Sequence, residues 1–156
     1  MLRTEYELEA VAMDDQMKAI TVCEPYASLI AWRHKRVENR SWPTHYRGWL
    51  AIHAGRSKKW LTDAYDHIIP PGKLVFGAIV GVVWLRACVH IDALEAYTEQ
   101  HPEQSWLHEH QHVGGPYLWI LDRHFRLTPP IEAKGAQGLW NLSRSVLRPA
   151  RLIKVA

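Results

Sequence analysis

A chain of 156 residues, 47% hydrophobic and 22% charged, has the make-up of one ordinary globular domain, with enough apolar material for a core that needs no disulfide or metal staple. No run approaches the roughly eighteen consecutive apolar residues of a membrane span. Residues 1–15 carry Glu5, Glu7, Glu9, Asp14 and Asp15 against one base, a sign opposite to that of a secretory leader, so no leader is expected.

The formal charge is only +3, but its distribution is uneven. Beyond residue 15 the chain holds 18 Lys and Arg against 11 Asp and Glu. Residues 31–60 contain eight bases and one acid, Glu38, and residues 123–156 contain seven bases and one acid, Glu132. Such local excess suits an anionic partner, because phosphate neutralisation dominates nucleic-acid affinity. Cys23 and Cys88 lie far apart in apolar surroundings and read as reduced cysteines of a cytoplasmic protein.

In chain order, residues 1–16 read as an acidic extension and residues 17–156 as the domain. Lys18 to Cys23 predicts a strand. Pro25 suits the first turn of a helix, with Tyr26, Leu29, Ile30 and Arg33 at helical spacing. Residues 36–42 read as extended, which places Glu38 and Arg40 on one face, and Pro43 ends the segment. Residues 48–54 form a second strand, and a short helix is expected at 57–67 with Ser57 as its cap.

Residues 74–91, rich in Val, Ile and Gly, predict one long buried strand or two joined by a bend at Gly77 or Gly81. Residues 92–111 read as helical and exposed, interrupted by Pro102. Tyr117 to Phe125 is a strand, Thr128 to Gly138 a Pro- and Gly-rich loop, and Arg151 to Val155 a last strand. Five or more strands with two or three short helices predict a small barrel-like α+β domain.

The most informative stretch, Glu24 to Gly55, reads EPYASLIAWRHKRVENRSWPTHYRGWLAIHAG. A helix delivers Lys35, and an extended segment carries Glu38 and Arg40. An ammonium donor, a carboxylate acceptor and a guanidinium fork so close together can grip a phosphate and read a base edge. Tyr26 and Trp42 offer stacking faces. The bland alternative is that Glu38 pairs with Lys35 or Arg40 on the surface, where such pairs contribute little.

Two other constellations stand out. His108, His110 and His112 alternate, which on a strand would put three imidazoles on one face, but the segment reads as a helix end or loop. No metal and no cofactor is therefore expected. Of the eight tryptophans, Trp84 and Trp119 lie in apolar strands and read as core, whereas Trp42 and Trp140 lie in polar, Gly- or Pro-punctuated segments. The loop from Lys134 to Trp140, with Gln137 and two glycines, can bring amides close to a base, or simply pack against the strands.

These residues resemble the ASCH domain, a branch of the PUA-like superfamily whose signature is G-x-K-x-x-E-x-R after a first helix. Lys35, Glu38 and Arg40 match it; Arg33 stands in place of the glycine. Pro25-Tyr26-Ala27, Tyr46-Arg47-Gly48 leading to His53-Ala54, Gly77 to Gly81, Gly114 to Leu121 and Lys134 to Trp140 resemble later landmarks in order. The resemblance implies an α+β PUA-like β-barrel with two or three flanking short helices, and a cleft where members are thought to bind RNA or other nucleic acid. A glycine at the helix end would supply a left-handed turn; Arg33 either fills part of the cleft or adds a phosphate contact.

The resulting expectation is a module binding nucleic acid or a nucleotide, RNA favoured, with no membrane partner. Lys35 and Arg40 would hold phosphate, and Glu38 would accept from a base amino group or orient Arg40. Tyr26, Trp42, His53, Lys134, Gln137 and Trp140 would complete the ligand site. The alternative is a hydrolase using Lys35 and Glu38, either a ribonuclease with His53 or an amidohydrolase of acylated cytidine nucleosides. For the amidohydrolase the resemblance implies a threonine three residues after the lysine, and here that position is Glu38, which cannot be an alcohol nucleophile.

Overall fold

The computed structural model describes residues 16–61 and 74–156. Residues 1–15 of the expected acidic extension and residues 62–67 of the expected helix at 57–67 lie outside the described residues. Ser57 is described, and its hydroxyl does accept from the Lys59 N–H at 3.3 Å, but residues 57–61 form a turn, not a helix.

Among the described residues there are seven strands, β1 (Gln16–Val22), β2 (Val37–Arg40), β3 (Gly48–Ala54), β4 (Ala78–His90), β5 (Tyr117–Glu132), β6 (Trp140–Ser143) and β7 (Arg151–Lys154). The described residues also hold two helices, α1 (Tyr26–Ala31) and α2 (Leu94–Gln100), and short 3-10 turns. The sheet runs β2-β5-β4-β3-β1-β6, with β7 on the far part of β5. β1 and β3 are parallel and the other pairs antiparallel. The architecture is α+β.

The middle strands are buried on both faces, which is why β3 and β4 read as nearly continuous apolar runs and not as alternations. In β3, Leu50, Ile52 and Ala54 join Ile20, Val22, Ile30 and Trp119 in one cluster, while Trp49 and Ala51 join Met17, Ala19 and Phe125 in another. In β4 the pattern changes phase: Val80 faces the first cluster, Val82 the second and Val83 the first again. A register shift between Ile79 and Gly81 absorbs the change, as an extra residue in one strand must. Gly81 is required there, since a Cβ would stand 2.7 Å from the Phe125 carbonyl and 3.1 Å from Ala31 of α1. A third cluster joins Leu94 of α2 and Leu107 to Val37, Leu118 and Ile120.

Two expectations are corrected. The predicted loop from Thr128 does not begin there: β5 continues through Pro129 and Pro130 to Glu132. Prolines cannot donate to a ladder, but these fall in the register gap between the pairs Gly81↔Arg126 and Ile79↔Ile131, so no ladder bond is demanded of them. Trp140, read as the last residue of the Lys134 loop, instead opens β6, which runs to Ser143. Trp140-Asn141-Leu142-Ser143 does alternate apolar and polar as a strand does, but four residues are too few for that period to stand out from the loop before them.

The sheet is also not closed into the expected barrel. β1 has β3 on one edge and β6 on the other, so β2 cannot zip onto it. β6 covers β1 only from Gln16 to Ala19. Beyond that point Arg40, the last residue of β2, donates through Nη2 to the Thr21 carbonyl at 2.8 Å. The sheet therefore curls until its ends approach, and a side chain spans the seam in place of a ladder.

At the end of α1 the backbone explains how an arginine replaces a glycine. Arg33 adopts φ 65°, the left-handed conformation that ends the helix, with its N–H on the Ile30 carbonyl at 3.0 Å. The chain then turns so that the Lys35 N–H meets the Leu29 carbonyl at 2.9 Å, which delivers the Lys35 side chain to the seam. Arg33 itself is exposed. Arg33→Gly should stabilise the protein by about 0.5–1 kcal/mol, since it relieves left-handed strain that an L side chain bears and glycine does not. A lower denaturation midpoint for that variant would show that the Arg33 side chain contributes more than its backbone costs.

Candidate functional site

The seam brings the signature residues together. Lys35 Nζ donates to Glu38 Oε1 at 3.0 Å, with the two side chains 4% and 10% exposed. The same oxygen accepts from the Asn39 N–H at 3.0 Å. This is the pairing expected of the bland alternative, but it is buried and not a surface contact. Glu38 Oε2 lies 3.5 Å from Arg40 Nη2 yet has no hydrogen-bond partner, and Arg40 Nε is likewise buried without one. Alternation along β2 puts Glu38 and Arg40 on one face, with Trp119 opposite Glu38 in the register. Arg40 is 24% exposed, so the guanidinium is the part of the group that solvent reaches most.

Across the seam, Thr21 and His53 are register partners at the ends of β1 and β3. His53 Nε2 lies 2.7 Å from the Ala133 carbonyl, which can only accept, so Nε2 carries the proton. Nδ1 is then an acceptor, and the one proton of the Thr21 hydroxyl is shared between Nδ1 at 3.1 Å and the Ala136 carbonyl at 3.4 Å. The loop after β5 closes over both: a Cβ on Gly135 would stand 2.5 Å from Thr21 Oγ1 and 2.7 Å from the His53 ring. The polar chain is therefore continuous: Lys35, Glu38, Arg40, the Thr21 carbonyl and hydroxyl, and His53.

The other expected residues sit around this chain. Tyr26 lies beneath Lys35, with Nζ 5.4 Å from its ring centroid, and edge-on to His112 at 6.5 Å. Trp140 is edge-on to His53 at 5.8 Å, and its indole N–H is buried without a partner. Trp42 packs perpendicular to Trp119 at 4.8 Å and its carbonyl accepts the Trp119 indole N–H, so the residue is anchored to the core. Lys134 and Gln137 are exposed on the loop above Thr21; no hydrogen bond or ion pair joins them to the signature residues among the described contacts.

Three residues that matter here carried little sequence signal. Thr21 sits in an apolar strand and is distinguished only by its hydroxyl. Asn39 clamps the turn that carries His112: its amide donates to the His112 carbonyl at 2.8 Å, and its oxygen accepts from Gly114 and Gly115 at 2.9 and 2.8 Å. Glu24, fully buried, accepts from the Ser28 N–H and hydroxyl at 2.7 and 2.6 Å and from Val75, which ties the start of α1 to the loop before β4. Burial pushes the Glu24 carboxyl above its usual range, against the lowering effect of those hydrogen bonds.

Two of the three alternating histidines come together, the His110 and His112 ring centroids lying 5.5 Å apart, while His108 is held elsewhere. His108 pairs with the Thr98 hydroxyl at 2.7 Å, while His110 Nε2 accepts from the Arg36 N–H at 3.0 Å. Burial, then the neighbouring positive charges of His112, Arg36 and Lys35, push His110 down to about 4. Burial and Lys35 also lower His112.

Comparison with known proteins bears on the whole arrangement. A family model described as the ASCH domain matches residues 20–122, from β1 into β5. The human protein named Activating signal cointegrator 1 is 26% identical over 143 residues, 85% of this chain but 23% of that protein, so the chain spans less than a quarter of the relative it matches. The crystal structure of ASCH from Zymomonas mobilis is similar with a TM-score of 0.53, covering 90% of this chain and 99% of that one at 17% identity, a likeness of fold.

Proposed function

This chain belongs to the ASCH domain family, and on that premise we propose that it is a nucleic-acid binding module, RNA favoured, which reads a base at the seam between β2 and β1. ASCH is a PUA-like family proposed to bind RNA. The observation that carries the reading is Glu38 Oε2, a buried carboxylate oxygen that faces Arg40 Nη2 at 3.5 Å as an ion pair but accepts no hydrogen bond, beside a buried Arg40 Nε that donates none. A buried acceptor left unsatisfied is costly, and an exocyclic base amino group would satisfy it. Lys35, enclosed on Glu38, acts by holding that carboxylate in place. Arg40, more open, is the group within reach of a phosphate. Unpaired strands can splay a base out and offer its Watson–Crick edge to such a pocket, whereas a duplex occupies that edge in pairing.

Binding of labelled single-stranded RNA, followed by anisotropy across salt concentrations, tests the reading. Affinity should fall steeply with salt, and Arg40→Ala should weaken it about tenfold and lower the slope of log affinity against log salt by ~0.7, the value for one phosphate contact on a single strand. Salt-independent binding, or wild-type affinity in Arg40→Ala, would remove the assignment.

One observation keeps the hydrolase reading in view. The Thr21 hydroxyl, His53 and the Ala133 carbonyl form an alcohol, a base and an orienting acceptor in series, the arrangement an activated nucleophile needs. It places the alcohol on β1 and not at Glu38. Turnover of N4-acylated cytidine or labelled RNA that is lost in Thr21→Val would support this reading; no turnover of either substrate would end it.

A further inference from the structure

β1 and β3 run parallel and end side by side, so the segment leaving β3 departs from the same edge of the sheet as the seam. Its root is fixed. The Gly55 N–H bonds the Val22 carbonyl at 2.9 Å, and a Cβ on Gly55 would stand 3.1 Å from the Thr21 methyl. Arg56 lies over the bare backbone of Gly77, with Nε 2.9 Å from where a Cβ would be. A turn then shapes the tip, with the Leu61 N–H on the Lys58 carbonyl at 3.2 Å.

What the turn presents is unusual for this surface. Arg56, Ser57, Lys58, Lys59 and Trp60 are all exposed, with three cations and no acid among them. Trp60 is 49% exposed and is the only exposed large hydrophobic among the described residues. Lys59 Nζ lies 5.1 Å from the Trp60 ring centroid, and Lys58 Nζ lies 5.2 Å from that of Phe76. An indole face among ammonium groups matches a polyanion that carries flat apolar faces. A single-stranded nucleic acid is such a polyanion, while a duplex buries its base faces in its own stack.

We infer that the Arg56–Trp60 turn is a second contact for a strand held at the seam, with Trp60 stacking on a base and Arg56, Lys58 and Lys59 neutralising flanking phosphates. The inference rests on the nucleic-acid reading above and extends it from one base to a path along the sheet edge, past Thr21 and Gly55.

Two single-stranded RNA lengths separate the two contacts, a four-nucleotide probe and a twelve-nucleotide probe. Trp60→Ala should weaken the longer probe about tenfold, the loss expected for one stacked base, and leave the shorter probe unchanged. Trp60→Phe should restore most of the loss. The double variant Lys58→Ala/Lys59→Ala should lower the salt slope for the longer probe by ~1.4, two single-strand phosphate contacts. If Trp60→Ala binds the longer probe as wild type does while Arg40→Ala weakens both, the turn is not a contact and the seam reading stands. If Trp60→Ala weakens binding and Arg40→Ala does not, the turn binds and the seam reading falls. Wild-type protein that binds neither probe overturns both.

Discussion

Glu38→Ala should lose about 3–5 kcal/mol of folding stability, the usual cost of stranding one member of a buried ion pair. Lys35 is the member left behind. Its ammonium is 4% exposed and makes its hydrogen bond to Glu38, with the Tyr26 ring 5.4 Å away as its other neighbour. Without the carboxylate, a charged group would stay desolvated and unpaired. Lys35→Met is not the mirror image. Glu38 would keep the Asn39 N–H and the nearby Arg40 guanidinium, and a thioether chain of similar length would fill the space. That variant should lose no more than about 1–2 kcal/mol, less than Glu38→Ala by a clear margin. Urea unfolding of both, together with the double variant, measures the difference: adding Lys35→Met to Glu38→Ala should recover stability. Equal small losses in the two single variants would show that the pair is hydrated and contributes little.

The same asymmetry assigns distinct parts to residues that look equivalent in the sequence. Lys35 and Arg40 both read as phosphate ligands, and as bases three and two residues from Glu38 nothing separates them. Burial does. Lys35 follows a left-handed residue at position 33 that turns it inward beneath the sheet, whereas Arg40 ends a four-residue strand and reaches over an uncovered edge. Tests of nucleic-acid binding are therefore cleaner with Arg40 variants, because Lys35 and Glu38 variants change stability as well.

Much of the fold was legible because its elements have strong local causes. Pro25 at the start of α1, the continuous apolar runs of β3 and β4, and the signature on an extended segment each follow from residue type and spacing. The elements that were missed depend on partners far away in sequence. β6 exists because β1 needs an edge partner, and β5 runs through two prolines because a register gap in β4 accommodates them. The open seam has the same origin: only the placement of β6 on β1 leaves β2 without an edge to pair with. Within the site, charged residues announced themselves, while Thr21 did not, since a strand hydroxyl gains meaning only when His53 is found beside it. His124 was silent for a related reason, being a single histidine in an apolar strand.

Buried His124 makes acid stability the second large effect. The side chain is 0% exposed; Nδ1 donates to the Ile30 carbonyl at 2.8 Å, and Nε2 is buried without a partner. Burial, reinforced by Arg33 and Arg36 and opposed by that hydrogen bond, lowers His124 to about 4. In the unfolded chain it returns to the ordinary histidine value of about 6.5, so between these two values the unfolded state binds the extra proton and the folded state does not. Stability is thus fully present above pH ~6.5 and is lost progressively as the pH falls toward ~4, by on the order of 3 kcal/mol for a group this deeply buried. His110, also lowered to about 4, acts in the same direction, because protonating Nε2 removes the acceptor for the Arg36 N–H. Replacing His124 by phenylalanine should cost about 1 kcal/mol at pH 7 through the lost Ile30 hydrogen bond. Its stability should then decline less than wild type between pH 6.5 and 4, so that the two stability curves cross and the variant is the more stable protein near pH 4. Parallel declines would mean that His124 is protonated as readily in the folded chain as in the unfolded one, and that the carbonyl end of α1 accepts the charge.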